Sequence, residues 1–233
     1  MFAKRWQQNK EISLSFNEKI NLKQKTENNK TIGAFREKTF GLSWFMEPAM
    51  ENSLNEGNFR KKLRGNAGEA MVAQALWFWL PASCNLFNNV VLKPVGDMFI
   101  QMDHLVISRK GIFIIETKNW KGFVEGNEEV WRKTTRWKGL EIMKNNPYKE
   151  QRFHEKMFKL WSKHNLREYY ARIENHVFPL IIFEGCEGLR VRGSMPVYKG
   201  MRGAISYILG ITKPNLFTAE EVAEICRRIQ VAK

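Results

Sequence analysis

Charged side chains interrupt the most apolar stretch of the chain, which runs from Gln101 to Trp120. Its β-branched and aromatic residues predict two strands joined by a short turn that ends at Gly111. Asp103 lies within the first strand, and Glu116 and Lys118 end the second. Because a buried charge is costly unless it is paired or bound to a metal, these residues indicate either an ion-pair cluster or a metal site.

The relative position of the two carboxylates depends on the turn. A four-residue loop from Ser108 to Gly111 pairs Ile107 with Ile112 and puts Asp103 opposite Glu116, whereas a three-residue loop would put the two acids on opposite faces. Ser-x-x-Gly suits a type I turn closed by a left-handed glycine, which favours the four-residue loop. With strict alternation, one face of the first strand then carries Phe99, Gln101, Asp103, Leu105 and Ile107.

Two carboxylates beside a lysine suit a hard divalent cation held by oxygen ligands, so Mg²⁺ is expected, or Mn²⁺, rather than zinc. The structural alternative is an ion-pair cluster at the end of a sheet. His104 follows Asp103 and points to the other face, where a hydrogen-bonded core histidine is expected. The other three histidines show no ligand spacing.

The composition favours a basic globular protein that binds polyanions. The 233 residues include 38 Lys and Arg against 24 Asp and Glu, a net charge of +14, and 43% are hydrophobic. Nucleic acid and anionic membranes are the usual partners of such a charge.

No hydrophobic run is long enough to span a bilayer, and the N-terminus lacks the apolar segment of a signal peptide. With three scattered cysteines, a reducing cytoplasm is the expected compartment, and no membrane is expected as a partner.

The remaining periodicity predicts helices around a mixed sheet. A first helix is expected from Asn58 to Leu80, or from Asn66 if Gly65 and Gly68 mark a close approach rather than the helix interior. Asn146 and Thr218 are expected to cap two later helices. The other predicted elements are a strand at 88–93, short strands near 123–124, 130–131, 189–191 and 196–198, a strand at 177–183 and a short helix at 201–209.

Three regions are expected along the chain. Residues 1–56 form a basic, partly flexible extension, 57–200 form the main domain, and 201–233 form helical elements packed on it. An aromatic cluster from Phe35 to Met46 is expected to dock on its own domain or to mediate self-association or binding of a protein partner.

Several of these motifs occur in the order found in one known family. Between about Lys62 and Phe183, the chain resembles the nuclease-related domain (NERD) family. The resemblance rests on Gly65-x-x-Gly68-Glu69, Gln101-x-Asp103-His104, the string from Gly111 to Gly122 with Ile115-Glu116-Thr117-Lys118-Asn119-Trp120-Lys121, then Trp131, Asn146-Pro147 and Gln151. The family is regarded as part of the PD-(D/E)XK nuclease superfamily. This implies an α/β (α+β) fold with a restriction-endonuclease-like core, in which a mixed β-sheet is flanked by helices.

The resemblance also implies roles for individual residues. Asp103, Glu116 and the backbone carbonyl of Thr117 would bind the metal, and Lys118 would position or activate the attacking water. Glu69 would complete the site from its helix, and Gln151 would reach in from a later helix. For Glu69, a first-turn glutamate that only complements the helix dipole is the alternative.

The implied activity is Mg²⁺-dependent hydrolysis of phosphodiester bonds in nucleic acid, with DNA expected ahead of RNA. The alternative is a non-catalytic module that binds nucleic acid or protein on the same fold. Basic residues near the motifs are candidate contacts to nucleic acid, although each could be a solvated surface charge. Trp120 is a candidate for stacking on a base, although it could simply pack on the domain. The expected phosphate or base contacts are Lys93, Arg109, Lys110, Trp120, Lys121, Arg132 and Lys133.

Overall fold

Two β-sheets with helices packed against them make up the part of the chain described by this computed structural model, which covers residues 2–6, 18, 67–212 and 214–232. The aromatic cluster from Phe35 to Met46 and the start of the helix predicted from Asn58 lie outside these residues. No helix in the described ranges is both long enough and apolar enough to cross a membrane.

The strands are, in chain order, β1 (Lys4–Trp6), β2 (Asn85–Val95), β3 (Met98–Ser108), β4 (Gly111–Lys118), β5 (Phe123–Gly126), β6 (Trp131–Thr135), β7 (Gly139–Ile142), β8 (Val177–Phe183), β9 (Gly188–Val191) and β10 (Val197–Lys199). The helices are α1 (67–79 in its described part), α2 (Pro147–Asn165), α3 (Arg167–Ile173), α4 (Met201–Leu209) and α5 (Ala219–Gln230).

The larger sheet has the strand order β1-β2-β3-β4-β8-β10. β2, β3 and β4 form an antiparallel meander, whereas β4 pairs in parallel with β8, and β8 with β10. A parallel pair needs a long crossover, and here the segment between β4 and β8 supplies β5 to β7, α2 and α3. The predicted mixed sheet flanked by helices is confirmed, and β2 is longer than the predicted strand.

Helices cover both faces of the larger sheet. On one face α1 and α4 contribute Val72, Leu76, Ala204 and Ile208 to a cluster with strand residues such as Phe113. On the other face α2 and α5 bury the opposite side chains of the strands. That cluster includes Phe87, Leu105, Ile107, Ile112, Ile114, Phe158, Trp161, Val222, Ile225 and Ile229. The sheet is therefore the buried middle layer, and charged groups can be reached mainly at the strand ends.

The predicted helix caps are confirmed. The side chain of Asn146 accepts hydrogen bonds from the backbone N–H groups of Tyr148 and Lys149, and Pro147 occupies the first turn of α2. Thr218 forms a reciprocal capping box with Glu221 at the start of α5. The Asn146 cap fixes where α2 begins, and α2 carries residues of the candidate site.

The hairpin register is confirmed, but the predicted strict alternation in β3 is wrong. Ile107 pairs with Ile112 and Ser108 with Gly111, which leaves a two-residue turn. The predicted face of Phe99, Gln101, Asp103, Leu105 and Ile107 is not uniform, because Ile100 and Met102 pack in the same cluster as Leu105 and Ile107. The switch occurs where Asn89 of β2, with φ of 54°, faces Asp103 and the ladder between β2 and β3 skips one pair. A left-handed residue opposite Asp103 breaks the pleat and reverses the faces beyond it.

The second sheet has the order β7-β6-β5-β9, with β5 and β9 parallel. One face packs on the larger sheet through Val124, Trp131 and Phe183, and the rings of Trp131 and Phe183 stack with centroids 5.4 Å apart. β5 and β9 follow β4 and β8 in the chain, and the backbone N–H of Glu187 donates to the carbonyl of Gly122 over 2.8 Å. The small sheet therefore begins at the carboxyl ends of β4 and β8.

The tightest point of the hairpin yields a test of the fold. Gly111 has φ of 145°, and a Cβ there would lie 2.6 Å from Phe178 Cε2 and 2.7 Å from the carbonyl oxygen of His176. Gly111→Ala is expected to lower the free energy of unfolding by about 3 kcal/mol or more, because backbone strain and steric overlap add. Gly139→Ala is the matched control, since Gly139 has φ of 64° with no atom within 4 Å, and should cost only about 1–2 kcal/mol. Urea denaturation measures both, and equal losses would contradict the packing described at Gly111.

Candidate active site at the carboxyl end of β4

The charged residues of the hairpin lie where β4 ends beside β8. Lys118 pairs with Phe183, and Glu116 pairs with Ile181. Glu116 is buried, with 4% of its surface exposed, and Asp103 and Lys118 are partly buried. One step beyond the last pair of the β3–β4 ladder places Asp103 beside Glu116.

Lys118 is held between two carboxylates. Its Nζ donates to Glu116 Oε1 over 2.6 Å and to Glu150 Oε2 over 2.8 Å. Burial by itself would lower the pKa of Lys118, but Glu116 and Glu150 outweigh it and hold that pKa above its usual range. The amine therefore stays protonated and fixed in position.

Asp103 has a strongly perturbed carboxyl group. Burial raises its pKa to about 8, with further contributions from the negative charges of Glu116 and Glu69. The backbone N–H of Thr117 donates to Asp103 Oδ2 over 2.8 Å, which opposes that rise. A carboxylate crowded by two others is a group that a bound cation would stabilise.

Glu116 is held in its charged form. Burial raises its pKa, but His154 and Lys118 outweigh burial, so the pKa lies below its usual value. His154 Nδ1 lies 3.4 Å from Glu116 Oε2 and makes no hydrogen bond of good geometry to the described residues. The position of Glu116 therefore depends mainly on Lys118.

Glu69 approaches the cluster from α1. Burial raises the pKa of Glu69, the charge of Glu116 raises it further and the charge of Lys118 lowers it. The carboxyl group of Glu69 is therefore close enough to both side chains to interact with them electrostatically. A Cβ at Gly68 would lie 3.0 Å from Asn119 Cβ, which shows that the glycine permits a close approach of α1 to the segment after β4. The structure thus brings Glu69, Asp103, Glu116 and Lys118 together.

Gln151 occupies a different position from the one expected. It is fully buried, and its Nε2 donates to the carbonyl oxygens of Ile114, over 2.6 Å, and Leu180, over 3.0 Å. These bonds join α2 to β4 and β8, and Ile114 lies two residues before Glu116 in β4. Its Oε1 has no partner among the described residues. The contacts support a role in spacing the two strands, and contact with a reacting group stays a prediction.

His104 is the hydrogen-bonded core histidine that the sequence predicts. Its ring nitrogens lie 2.8 Å from Asn88 Oδ1 and 3.2 Å from Thr117 Oγ1. Burial lowers its pKa to about 4, so the ring is neutral. It holds the side chain of Thr117, the residue after Glu116, in place.

Sequence reasoning missed Glu150 and His154, which approach Lys118 and Glu116 from α2. They stand four residues apart and so share one face of the helix. The Asn146 cap places Glu150 in the first turn of α2, which was the available signal. Only the tertiary packing of α2 on β4 shows that this turn meets the end of the strand.

The donor groups fit a hard cation. Asp103, Glu116 and the Thr117 carbonyl offer oxygen atoms alone, the ligand type that Mg²⁺ and Mn²⁺ prefer. Within residues 67–212 and the other described ranges, no group of three or more His, Cys, Asp or Glu side chains is arranged to hold a metal ion. An ion at this site would therefore depend on the two carboxylates and the backbone oxygen.

Several of the expected nucleic-acid contacts lie away from the site. Arg109 and Lys110 form the turn at the opposite end of β4, and the eight steps from Lys110 to Lys118 span about 26 Å at roughly 3.3 Å per residue. Both bind backbone carbonyls of the C-terminal region, Arg109 that of Phe217 and Lys110 that of Ile211. These contacts hold the turn and do not support a place beside the carboxylates.

The other expected contacts are distributed around the molecule. Lys93 pairs with Asp97 over 3.0 Å, and Lys133 pairs with Glu141 over 3.1 Å. Trp120 packs edge-on against Phe183, with ring centroids 5.3 Å apart, which supports the packing alternative. Lys121 and Arg132 are exposed, one beside the end of β4 and the other on the small sheet.

Comparison with known proteins assigns the family. The model of the nuclease-related domain matches residues 64–184, slightly more than half of the chain. The chain belongs to the nuclease-related domain family. The match spans α1, β2 to β8 and α2, and thus contains every residue of the cluster at the end of β4.

The individual relatives add little about activity. An uncharacterized protein of Bacillus anthracis is 40% identical over 74 residues, which cover 31% of this chain and 34% of that protein. The chain therefore aligns with about a third of that relative's length. No solved structure matches the chain.

The crowded carboxylates predict how the protein responds to divalent cations. Asp103→Asn is expected to leave the free energy of unfolding in EDTA at pH 7 unchanged or raised by up to about 1 kcal/mol, because folding no longer buries a carboxyl whose charged form is disfavoured, and the bond from the Thr117 N–H is kept. In the parent protein, excess Mg²⁺ or Mn²⁺ is expected to raise the free energy of unfolding, and this stabilisation should be absent from the variant.

Urea denaturation with EDTA or with each metal measures both effects. Asp97→Asn is the control, since that carboxylate is 87% exposed on the turn between β2 and β3. Equal metal-dependent stabilisation of the parent and Asp103→Asn would exclude Asp103 as a ligand.

Proposed function

We propose that this protein is a divalent-metal-dependent nuclease that hydrolyses phosphodiester bonds of nucleic acid, with DNA preferred to RNA. The observation that carries the proposal is the meeting of Asp103, Glu116 and Lys118 at the end of β4 in a chain of the nuclease-related domain family. The net charge of +14 supports a polyanionic substrate.

The acidic side of the site would hold the cation. Asp103, Glu116 and the Thr117 carbonyl are the proposed ligands, of Mg²⁺ first and Mn²⁺ second. When bound, such an ion polarises a phosphoryl oxygen and lowers the pKa of a coordinated water. Glu69 adds negative charge from α1, and His104 holds the Thr117 side chain in place.

The basic side of the site is Lys118. Its ammonium group is fixed by two carboxylates and buried enough for its charge to be weakly screened. An amine so placed can stabilise negative charge that develops on the phosphate, or orient the attacking water. Glu150 keeps that amine oriented, which makes Glu150 a positioning residue.

A binding module without turnover is the second candidate. The observation that favours it is that both Lys118 and His154 already lie against Glu116, and no three-residue metal cluster occurs among the described residues. In such a module the charged cluster would serve only to hold α2 on β4, and the basic surface would bind nucleic acid or a protein.

Substitution of Glu116 or Lys118 distinguishes the nuclease from the binding module. Glu116→Gln and Lys118→Met are expected to reduce Mg²⁺-dependent cleavage by about 100-fold or more, because each removes a charge that acts directly on the reaction. Purified parent and variants are incubated with plasmid, linear and single-stranded DNA and with RNA, in Mg²⁺, Mn²⁺ or EDTA. Lys144→Ala, which removes a charge on the loop before α2, is the control.

The outcomes of this assay are distinct. Cleavage by the parent that needs metal and is lost in both variants supports the nuclease. Binding by the parent without metal-dependent cleavage supports the module. Circular dichroism of each variant shows whether it is folded, and a folded Lys118→Met as active as the parent would exclude Lys118.

Glu150 provides an independent test of the positioning argument. Glu150→Gln keeps a hydrogen-bond acceptor for Lys118 but removes the charge, so kcat should fall about tenfold while KM stays the same. Glu155→Gln is the control, since Glu155 pairs with Lys159 on the same helix over 2.7 Å. A change in KM with constant kcat would show that Glu150 acts on substrate binding instead.

A further inference from the structure

The outer face of the small sheet carries a row of arginines. Glu125 of β5 lies directly opposite both Arg132 of β6 and Arg190 of β9, so these side chains share one face. Together with Arg192 they line a cavity of about 350 Å³. Glu125 pairs with Arg190 over 3.2 Å. The cavity wall thus has three guanidinium groups and one carboxylate, which leaves an excess of positive charge.

An apolar row runs beside the arginines on the same face. Phe123 of β5 pairs with Thr134, and Thr134 pairs with Leu140 of β7. Phe123 and Leu140 remain 38% and 61% exposed. Ile142, opposite Arg132, is 69% exposed. Exposed apolar side chains next to cationic ones are unusual on a sheet whose other face is packed, and they indicate a binding surface.

The ring of Phe123 is held flat on the sheet. A Cβ at Gly188 would lie 2.3 Å from Phe123 Cδ2 and 2.4 Å from its Cε2, so the ring lies in the space above the glycine. The guanidinium of Arg190 lies 5.7 Å from the ring centroid. Beyond the row, at the turn between β6 and β7, Trp137 is 95% exposed between Arg136 and Lys138. Trp137 is thus almost fully accessible, and the part of the Phe123 ring left exposed beside the Arg190 guanidinium is accessible to a base.

The row lies close to the candidate active site along the chain. Glu125 comes seven positions after Lys118, and a fully extended chain of seven steps spans at most about 25 Å. β9 likewise follows directly from β8, whose last residue Phe183 pairs with Lys118. A strand of nucleic acid bound on this face could therefore extend to the end of β4.

We propose that this face of the small sheet binds a single strand of nucleic acid, with phosphates on Arg132, Arg190 and Arg192 and bases stacked on Phe123. Proteins that bind single strands combine cationic side chains, which contact the phosphates, with aromatic side chains, on which the bases stack. Only unpaired bases can stack in this way. The surface gives the proposed nuclease its substrate class, and binding here does not depend on the cation or on Lys118.

The test measures binding by the full chain in EDTA, so that cleavage has no part in it. Fluorescence anisotropy with a labelled oligothymidine of about 20 nucleotides, long enough to fill a single-strand site, gives Kd over a series of salt concentrations. A duplex of the same length is measured in parallel. The variant Arg190→Ala/Arg192→Ala is compared with Lys163→Ala/Arg167→Ala, which removes the same charge from exposed positions at the end of α2 and the start of α3.

The arginine variant is expected to raise Kd at least tenfold. It should also reduce the slope of log K against log salt by about 1.4, because each lost phosphate contact in a single strand accounts for about 0.7. The control pair should change Kd by less than about twofold, since charges away from the contact surface act only at long range. Equal effects of the two double variants would overturn the proposal and leave only general attraction by net charge.

Phe123→Ala separates stacking from charge. It is expected to raise Kd for the single strand at least fivefold, as loss of one stacked base does, with the salt slope unchanged. Its Kd for the duplex should stay constant, because paired bases are not available to the ring. A loss of affinity for the duplex as large as that for the single strand would refute stacking at Phe123. Thermal unfolding confirms that each variant is folded.

Discussion

The ion pair between Lys118 and Glu116 is the interaction on which the candidate site depends. Breaking a buried pair by removing one partner leaves an uncompensated charge, which costs more than the pair gains by forming. Here one amine pairs with both Glu116 of β4 and Glu150 of α2, so it joins the sheet to the helix and is itself held in one orientation. The same contact thus fixes the geometry of the site and the docking of α2.

Two carboxyl groups of the site, those of Asp103 and Glu69, have raised pKa values. Asp103 and Glu69 approach Glu116 without a cation of their own near enough to restore their usual pKa values. Asp103 stands at the point where Asn89 interrupts the pleat of the neighbouring strand. In a regular ladder the Asp103 side chain would lie on one definite face of the sheet. Here Asp103 lies at the residue where the alternation of β3 side chains between the two faces reverses. A carboxyl with a raised pKa and an irregular backbone therefore coincide at Asp103, as is common at functional sites.

Local signals predicted the hairpin, and non-local packing explains what they did not predict. The turn from Ser108 to Gly111 set the register, and the Asn146 and Thr218 caps set two helices, since these depend on neighbours in the sequence. Charges in an apolar run were enough to select Asp103, Glu116 and Lys118. The parallel pairing of β5 with β9 joins residues about 65 positions apart and has no local signature. Glu150 and His154 were missed for the same reason, because their partners lie on another element.

The contacts of Gln151 bear on the order in which the protein folds during its synthesis. Its amide joins the carbonyls of Ile114 and Leu180, which belong to strands separated by the whole crossover. Synthesis adds roughly 5–20 residues per second, so β8 is made several seconds after β4, the strand it pairs with. Until β8 arrives, the end of β4 has an unpaired edge and the charges on it lack their final surroundings. The arrangement at Lys118 is therefore a late product of folding, and a nascent chain that ends before β8 lacks it.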